Sequence, residues 1–187
     1  MTTDSPLDRF LSQLPAQKSH PVARWQPSRS GVIDIRIAAN GDWFHEGELI
    51  RREALVTLFA SILRRDPDGY YLVTPAEKQR ITVEDAPLLV SQLQHEGEGR
   101  TQRLLFLTRT GDAVEAGPAH RLWVEDSDGE PRPYLMIRDG LHARIGRNVF
   151  YQLVELAQPA TVAGVERLGV WSNGLFLPLD GEDVNGR

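Results

Sequence analysis

Thr74-Pro75-Ala76-Glu77-Lys78, running on through Ile81 to Glu84-Asp85-Ala86-Pro87, gathers more chemistry-bearing residue types than any other stretch of the chain. Thr-Pro-x-Glu is the pattern of a capping box with proline at the first helical position. It predicts one helical turn between two strands and accounts for Thr74, Pro75 and Glu77. Lys78 and Asp85 stand outside that explanation. They are either ordinary surface charges, which is where Lys and Asp belong, or charges offered to a pocket.

Farther along, His120 precedes Arg121-Leu122-Trp123-Val124, Arg138 ends a strand on Asp139-Gly140, and Arg144 follows. The planar fork of arginine suits bidentate contact with an anion. A ligand-binding set follows: Lys78, Arg138 and Arg144 for charge, Thr74 and Tyr134 for hydrogen bonds, with Asp85 and His120 beside them. The competing structural reading makes the same charges edge-strand solvation and a salt bridge. A catalytic alternative pairs Asp85 or Glu77 with His120 in a hydrolase, but the spacing assembles no acid, base and anion grip at one point.

Other chemistries fail on their own requirements. His20, His45, His95, His120 and His142 are scattered, and His45-Glu46 and His95-Glu96 lack the second histidine four residues on that a zincin helix needs. No Gly-x-Ser-x-Gly elbow is present. Gly164 to Gly169 has the outer spacing of a phosphate loop, yet Val170-Trp171 stands where Lys-Ser/Thr is required. The absence of cysteine removes disulfides, thiolate catalysis and zinc–thiolate sites, and fits a reducing compartment. A net charge of −5 argues against nucleic acid. The pairs Arg51-Arg52 and Arg64-Arg65 read as solvated helix ends. The first residues carry no basic segment followed by an apolar run, and no apolar stretch is long enough to cross a bilayer. The expectation is a cytoplasmic protein with no cofactor, no metal, and neither nucleic acid nor membrane as partner.

The elements that must position these residues are mostly strands. Ser5-Pro6 opens a short helix with Leu7, Phe10, Leu11 and Leu14 at helical spacing. Pro15, Pro21 and Pro27 then mark an extended arm, with Trp25 as its expected anchor. Val32 to Ala38 alternates as a half-buried strand, and Asn40-Gly41 and Glu46-Gly47 signal turns. Residues 52 to 65 predict a helix with Leu55, Leu58, Phe59, Ile62 and Leu63 on one face, stopped by Asp66-Pro67-Asp68-Gly69. Strands follow at 70–73, 80–83, 88–94, 102–108, 121–124, 134–138 and 141–145, the last two joined by Asp139-Gly140. A second helix over 147–157 precedes strands at 167–171 and 175–179 around Ser172-Asn173-Gly174.

The order hairpin, helix, hairpin therefore occurs twice, and Ile50 to Leu58 can be laid over Ile145 to Leu153 with the apolar positions in phase. The fold class is α+β, mostly antiparallel β with two core helices and a duplicated hairpin–helix–hairpin motif. The expected organisation is an N-terminal helix and arm over 1–30, an N-terminal repeat over 31–86, a β-rich C-terminal repeat over 87–180, and a tail over 181–187. A seam between repeats is a natural place for a small ligand.

Several strings in order resemble one bacterial family: Gly41-Asp42-Trp43, Glu46-Gly47, Gly69 to Pro75 with Glu77-Lys78, Val83-Glu84-Asp85-Ala86-Pro87, Pro133-Tyr134, Arg138-Asp139-Gly140, Ala143-Arg144, and Val149-Phe150-Tyr151 with Leu153-Val154-Glu155. The family is domain of unknown function 1285, and the resemblance spans about residues 25 to 180. It departs at His120-Arg121, where the family pattern has His-Pro. The resemblance implies a duplicated core, a C-terminal half superficially like a pleckstrin-homology barrel, a ligand site near the junction of the halves, and a link to signalling. It implies no reaction. The leading expectation is a non-catalytic module for a small, anionic ligand. A protein-interaction part using the N-terminal arm or an open strand edge is the third alternative.

Overall fold

The computed structural model describes residues 20–180, and the chain divides into two compact units that meet in sequence at Ala86 and Pro87. The helix expected over residues 5–14 and the tail from Gly181 lie outside the described residues.

In the N-terminal unit a single 3-10 turn, Val22–Arg24, leads into β1 (Arg29–Ile37), β2 (Trp43–His45), β3 (Glu48–Leu49), α1 (Glu53–Ser61), β4 (Leu63–Asp66), β5 (Gly69–Val73) and β6 (Glu77–Val83). The sheet order is β3-β2-β1-β6-β5-β4, antiparallel throughout except where β1 and β6 run parallel. Alternation along β1 buries Ile33, Ile35 and Ile37 and leaves Val32 and Asp34 outside, as period-2 patterning requires. Trp43 stacks on Phe59 of α1 at 6.1 Å within the same core. Among the described residues of the arm, Val22 is buried and Trp25 only half-buried. The arm is tied down by Arg64, which donates to the carbonyls of Val22 and Trp25 at 3.2 and 2.8 Å.

Two local expectations in this unit change. The helix expected over 52–65 stops at Ser61, and Leu63–Asp66 is a strand paired with β5. Ile62 and Leu63 are fully buried, so they satisfied the helical spacing while serving a turn and a strand, an ambiguity inherent in short apolar runs. Asp66 faces Gly69 across the ladder, which makes Pro67-Asp68 the tip of a hairpin. Thr74 to Glu77 is likewise a hairpin turn and not a helical one. The Glu77 N–H does donate to Thr74 Oγ1 at 3.1 Å, the bond of a capping box, but the Thr74 N–H returns to the Glu77 carbonyl at 2.8 Å and the chain leaves as β6.

The C-terminal unit comprises β7 (Leu88–Glu96), β8 (Arg103–Thr108), β9 (Ala113–Glu115), β10 (Leu122–Ser127), β11 (Glu130–Arg138), β12 (Leu141–Ile145), α2 (Arg147–Leu156), β13 (Gln158–Val162), β14 (Val165–Ser172) and β15 (Leu175–Pro178). Six strands form a sheet in the order β10-β11-β12-β7-β8-β9, with β12 and β7 parallel. The last three form a separate antiparallel sheet. β15 lies near β10 and β14 near β8, so the larger sheet curls around the smaller one. Leu104, Phe106, Leu122, Leu135, Ile137, Leu141 and Leu153 are fully buried in this unit. At one end Ser172 Oγ donates to the Ala116 carbonyl at 2.8 Å and accepts from the Leu104 N–H at 3.2 Å. Gly169 sits where a Cβ would meet the Leu177 carbonyl oxygen at 2.4 Å, so only glycine lets β14 and β15 close there.

The duplication is plainest in the sheets. Each six-stranded sheet is two three-stranded meanders joined by one parallel pair, the first strand of the first meander beside the last strand of the second. The order hairpin, helix, hairpin also occurs twice, but the helices hold different places in the sheet repeat. α1 connects the two meanders of its sheet, whereas α2 follows the second meander. Their buried faces differ accordingly. Laying Ile50 on Ile145 sets buried Phe59 against exposed Val154, and buried Val149 against exposed Ala54.

Candidate functional site

Four of the seven candidate ligand-binding residues lie in the C-terminal unit and three in the N-terminal one. In the N-terminal unit, Thr74 is buried in the β5–β6 turn with its hydroxyl spent on Glu77 backbone groups. Lys78 donates to Asp66 Oδ2 at 2.7 Å and places its ammonium 4.3 Å from the Tyr71 ring centroid. Arg64 closes on the same carboxylate through Nε at 2.7 Å and Nη2 at 3.0 Å. The Arg64 hydrogen bonds, with help from Lys78 and against the effect of burial, hold the Asp66 carboxyl below its ordinary pKa. Lys78 is raised for the matching reason, its bond to Asp66. Glu77 is buried and accepts from Gln79 Nε2 at 3.2 Å, while Asp85 is half-buried in the bend after β6.

In the C-terminal unit the register places the candidates around β11. Trp123, Tyr134, Arg144 and Leu89 form one row across β10, β11, β12 and β7. Residues directly opposite one another share a face, and so do residues two apart along a strand. Arg132, Tyr134 and Met136 of β11 therefore stand with Trp123 and Glu125 of β10 and with His142 and Arg144 of β12. Three aromatic rings meet there. Trp123 stacks on Tyr134 at 5.5 Å with 25° between planes, and His142 leans on both, at 5.8 and 5.7 Å. Trp123 Nε1 donates to Glu125 Oε1 at 2.9 Å. At the far end His120 Nδ1 bonds the Met136 carbonyl at 3.1 Å, and since a carbonyl only accepts, Nδ1 is the donor. Arg138 Nε donates to Asp112 Oδ1 at 2.8 Å.

Among the described residues, His20 Nδ1 and Arg132 Nε are buried and have no hydrogen-bond partner. The two are not equivalent. A neutral imidazole can leave Nδ1 as a bare acceptor, whereas a guanidinium always carries its Nε proton. A buried donor left unpaired costs about 1–3 kcal/mol, so Arg132 is the anomaly of this face.

A second feature is a groove of about 260 Å³ across β7, β8 and β9, lined by Gln94, His95, Glu96, Arg103, Leu105 and Glu115. Its centre is an ion-pair ladder. Arg103 grips Glu115 with Nε at 2.7 Å and Nη2 at 2.8 Å, and reaches Glu96 with Nη1 at 2.6 Å. Those bonds, joined by one from Asn173, pull Glu115 down to about 2. The guanidinium is already committed to two carboxylates, so the groove offers no ready grip for an anion.

Sequence reasoning missed Trp123, Arg132 and His142. The signal was available once β10–β11–β12 is read as a meander, since Arg132 shares strand parity with Tyr134, Trp123 lies opposite Tyr134, and His142 lies opposite Met136. Asp128-Gly129 and Asp139-Gly140 supply the two turns.

The fold and this face define a class: β-rich α+β proteins of two units, each built on a six-stranded sheet made from paired meanders. The match to known families is specific within that class. The model of the N-terminal domain of DUF1285, a domain of unknown function, matches residues 20–86, and that of the C-terminal domain matches residues 87–179. The chain belongs to the DUF1285 family. It is similar to the crystal structure of a DUF1285 family protein from Silicibacter pomeroyi DSS-3, with 41% identity, TM-score 0.82, and coverage of 95% of this chain and 94% of that one. It is also similar to a DUF1285 family protein from Shewanella baltica OS155, with 32% identity, TM-score 0.52, and coverage of 65% and 90%. No curated protein matches significantly. Among the described residues no helix is long and apolar enough to cross a membrane.

Proposed function

We propose that the protein is a cytoplasmic, non-catalytic module that binds a small anionic molecule on the aromatic–arginine face of its C-terminal unit and serves signalling, with the curled sheet as a pleckstrin-homology-like scaffold. The observation that carries this reading is the buried, unpartnered Nε of Arg132 on that face. Arg144 stands in the next row, so two arginines share the face with one carboxylate, Glu125, on a chain whose net charge is −5. An acceptor supplied by a ligand would meet the Arg132 donor and gain the strength of a charge-assisted bond. The hydrolase alternative has no comparable support.

The test is calorimetric titration of the whole protein with phosphate, pyrophosphate and citrate at low ionic strength. At least one anion should bind, and Arg132→Gln should weaken it about 10-fold or more, the value of a charge-assisted bond. Arg51→Gln, which removes an exposed charge from the N-terminal unit, should leave affinity unchanged. Absence of binding to the native protein, or equal loss in both variants, would remove the basis for the proposal.

A further inference from the structure

The order of layers on this face says something about the shape of the anion. Tyr134 is only 3% exposed, yet it stacks against Trp123, which is half-buried. Tyr134 is therefore the covered ring of the pair, and Trp123 is the one that keeps surface accessible to a ligand. The accessible ring is also fixed. Its polar edge is held by the bond from Nε1 to Glu125, and His142 leans on it at a tilt of 50°. A ring already locked in place loses little rotamer freedom when something is laid on it, which is the energetic advantage of a preorganised surface.

Arg132 is opposite Glu125 in the ladder, two pairs along from Trp123 and Tyr134 and so on the same face. It is thus the diagonal neighbour of Trp123, and diagonal neighbours on one sheet face are about 7–8 Å apart, within reach of long side chains. A flat π surface and an unpartnered buried cationic donor stand side by side at the scale that separates a ring from its anionic substituent.

We infer that the ligand is an anion with a planar aromatic body, its ring stacked against the accessible part of Trp123 and its carboxylate or phosphate on Arg132. The inference rests on the anion-binding reading above and adds the ring. Aryl carboxylates and nucleoside monophosphates share this chemistry. Stacking on an aromatic side chain and ion pairing with Arg132 are separate contacts, so they can be removed separately.

The experiment titrates the whole protein with inorganic phosphate, succinate, benzoate, adenosine and adenosine monophosphate, followed by calorimetry and tryptophan fluorescence. Benzoate or the nucleotide should bind about tenfold or more tighter than its non-aromatic counterpart, the range that base–aromatic stacking supplies, and should perturb the fluorescence. Trp123→Leu should erase that preference while leaving phosphate affinity little changed; Arg132→Gln should weaken every anion. Trp123→Phe keeps a ring and should keep part of the preference, which guards against a Leu variant that fails to fold. Tight nucleotide binding without benzoate binding assigns a nucleotide source, and the reverse assigns an aryl acid. If phosphate binds as well as the nucleotide, and succinate as well as benzoate, the ring is overturned and the anion site stands. If adenosine binds as well as its phosphate, or if nothing binds, both readings fall.

Discussion

Two charged faces of this protein are built from the same residue types and end in opposite states. On the N-terminal sheet Arg64, Lys78 and Asp66 close on one another, and Tyr71 donates its hydroxyl to Asp68 at 2.7 Å. Arg64 also holds the arm through two backbone carbonyls. On the C-terminal sheet Arg132 has a buried Nε with no partner, beside a stack of aromatic rings. A buried cation whose donors are all met stabilises its surroundings, whereas one with an unmet donor weakens them unless something else supplies the acceptor. One face thus meets its buried donors from within the fold, and the other leaves a buried donor open, which is where the proposed ligand would sit.

The largest effect should come from breaking the finished face. Arg64→Ala would remove two bonds to Asp66 and the bonds to the carbonyls of Val22 and Trp25. The expected loss is about 3 kcal/mol, concentrated in the N-terminal unit, since the pair is mostly buried and its carboxylate would be left to Lys78 alone. Hydrogen exchange resolved along the chain would show faster opening of residues 63–73 with residues 88–145 little changed. Uniform acceleration across both units would show that Arg64 is not a local clamp.

Arg132 should behave in the opposite sense. Arg132→Met keeps the apolar stem and deletes the unmet donor, so stability in ligand-free protein should stay level or rise by about 1 kcal/mol. Urea unfolding followed by the amides of β10–β12 reports it. A loss as large as that of Arg64→Ala would mean that Arg132 is fully engaged, and the contrast between the faces would disappear.

Most of the fold was legible because its turns are chemically explicit. Glu46-Gly47, Asp139-Gly140 and Asn173-Gly174 were read as turns, and in each both residues have positive φ, as a two-residue hairpin loop demands. Asp128-Gly129 and Ala163-Gly164 have the same geometry and were passed over, which cost β13 and the start of β11. The helix end was misplaced because Ile62 and Leu63 are buried on either side of the change from turn to strand, and spacing is blind to that change. The duplication was seen through the helices, which repeat in order, while the sheets carry the fuller repeat. That could not be read from spacing, because a parallel pair joins strands as distant as β1 and β6 or β7 and β12. The candidate face was legible only in part. Tyr134 and Arg144 were singled out and do stand in one row, but Trp123 and Arg132 acquire meaning only once the register is known.

The smallest expected effect concerns the ladder of the β7–β9 groove, which shares the sheet with Arg132 but has its charges met. Glu115 titrates near 2, against an ordinary value of 4.5, because Arg103 and then Asn173 bond its charged form. Between those values the unfolded chain binds more protons at this site than the folded one, so stability there rises with pH. The contribution is fully present above about pH 4.5 and is lost as the pH falls through about 2. Glu115→Gln removes the titrating group, so the gap between native and variant midpoints in thermal unfolding should be constant from pH 7 to pH 4.5 and shrink toward pH 2. Because the ladder is exposed on the Arg103 side, salt should narrow the same gap at neutral pH. A gap that ignores both acid and salt would show that Glu115 acts through packing, and the contrast between a ladder whose charges are met and the buried, unmet Nε of Arg132 would lose its electrostatic basis.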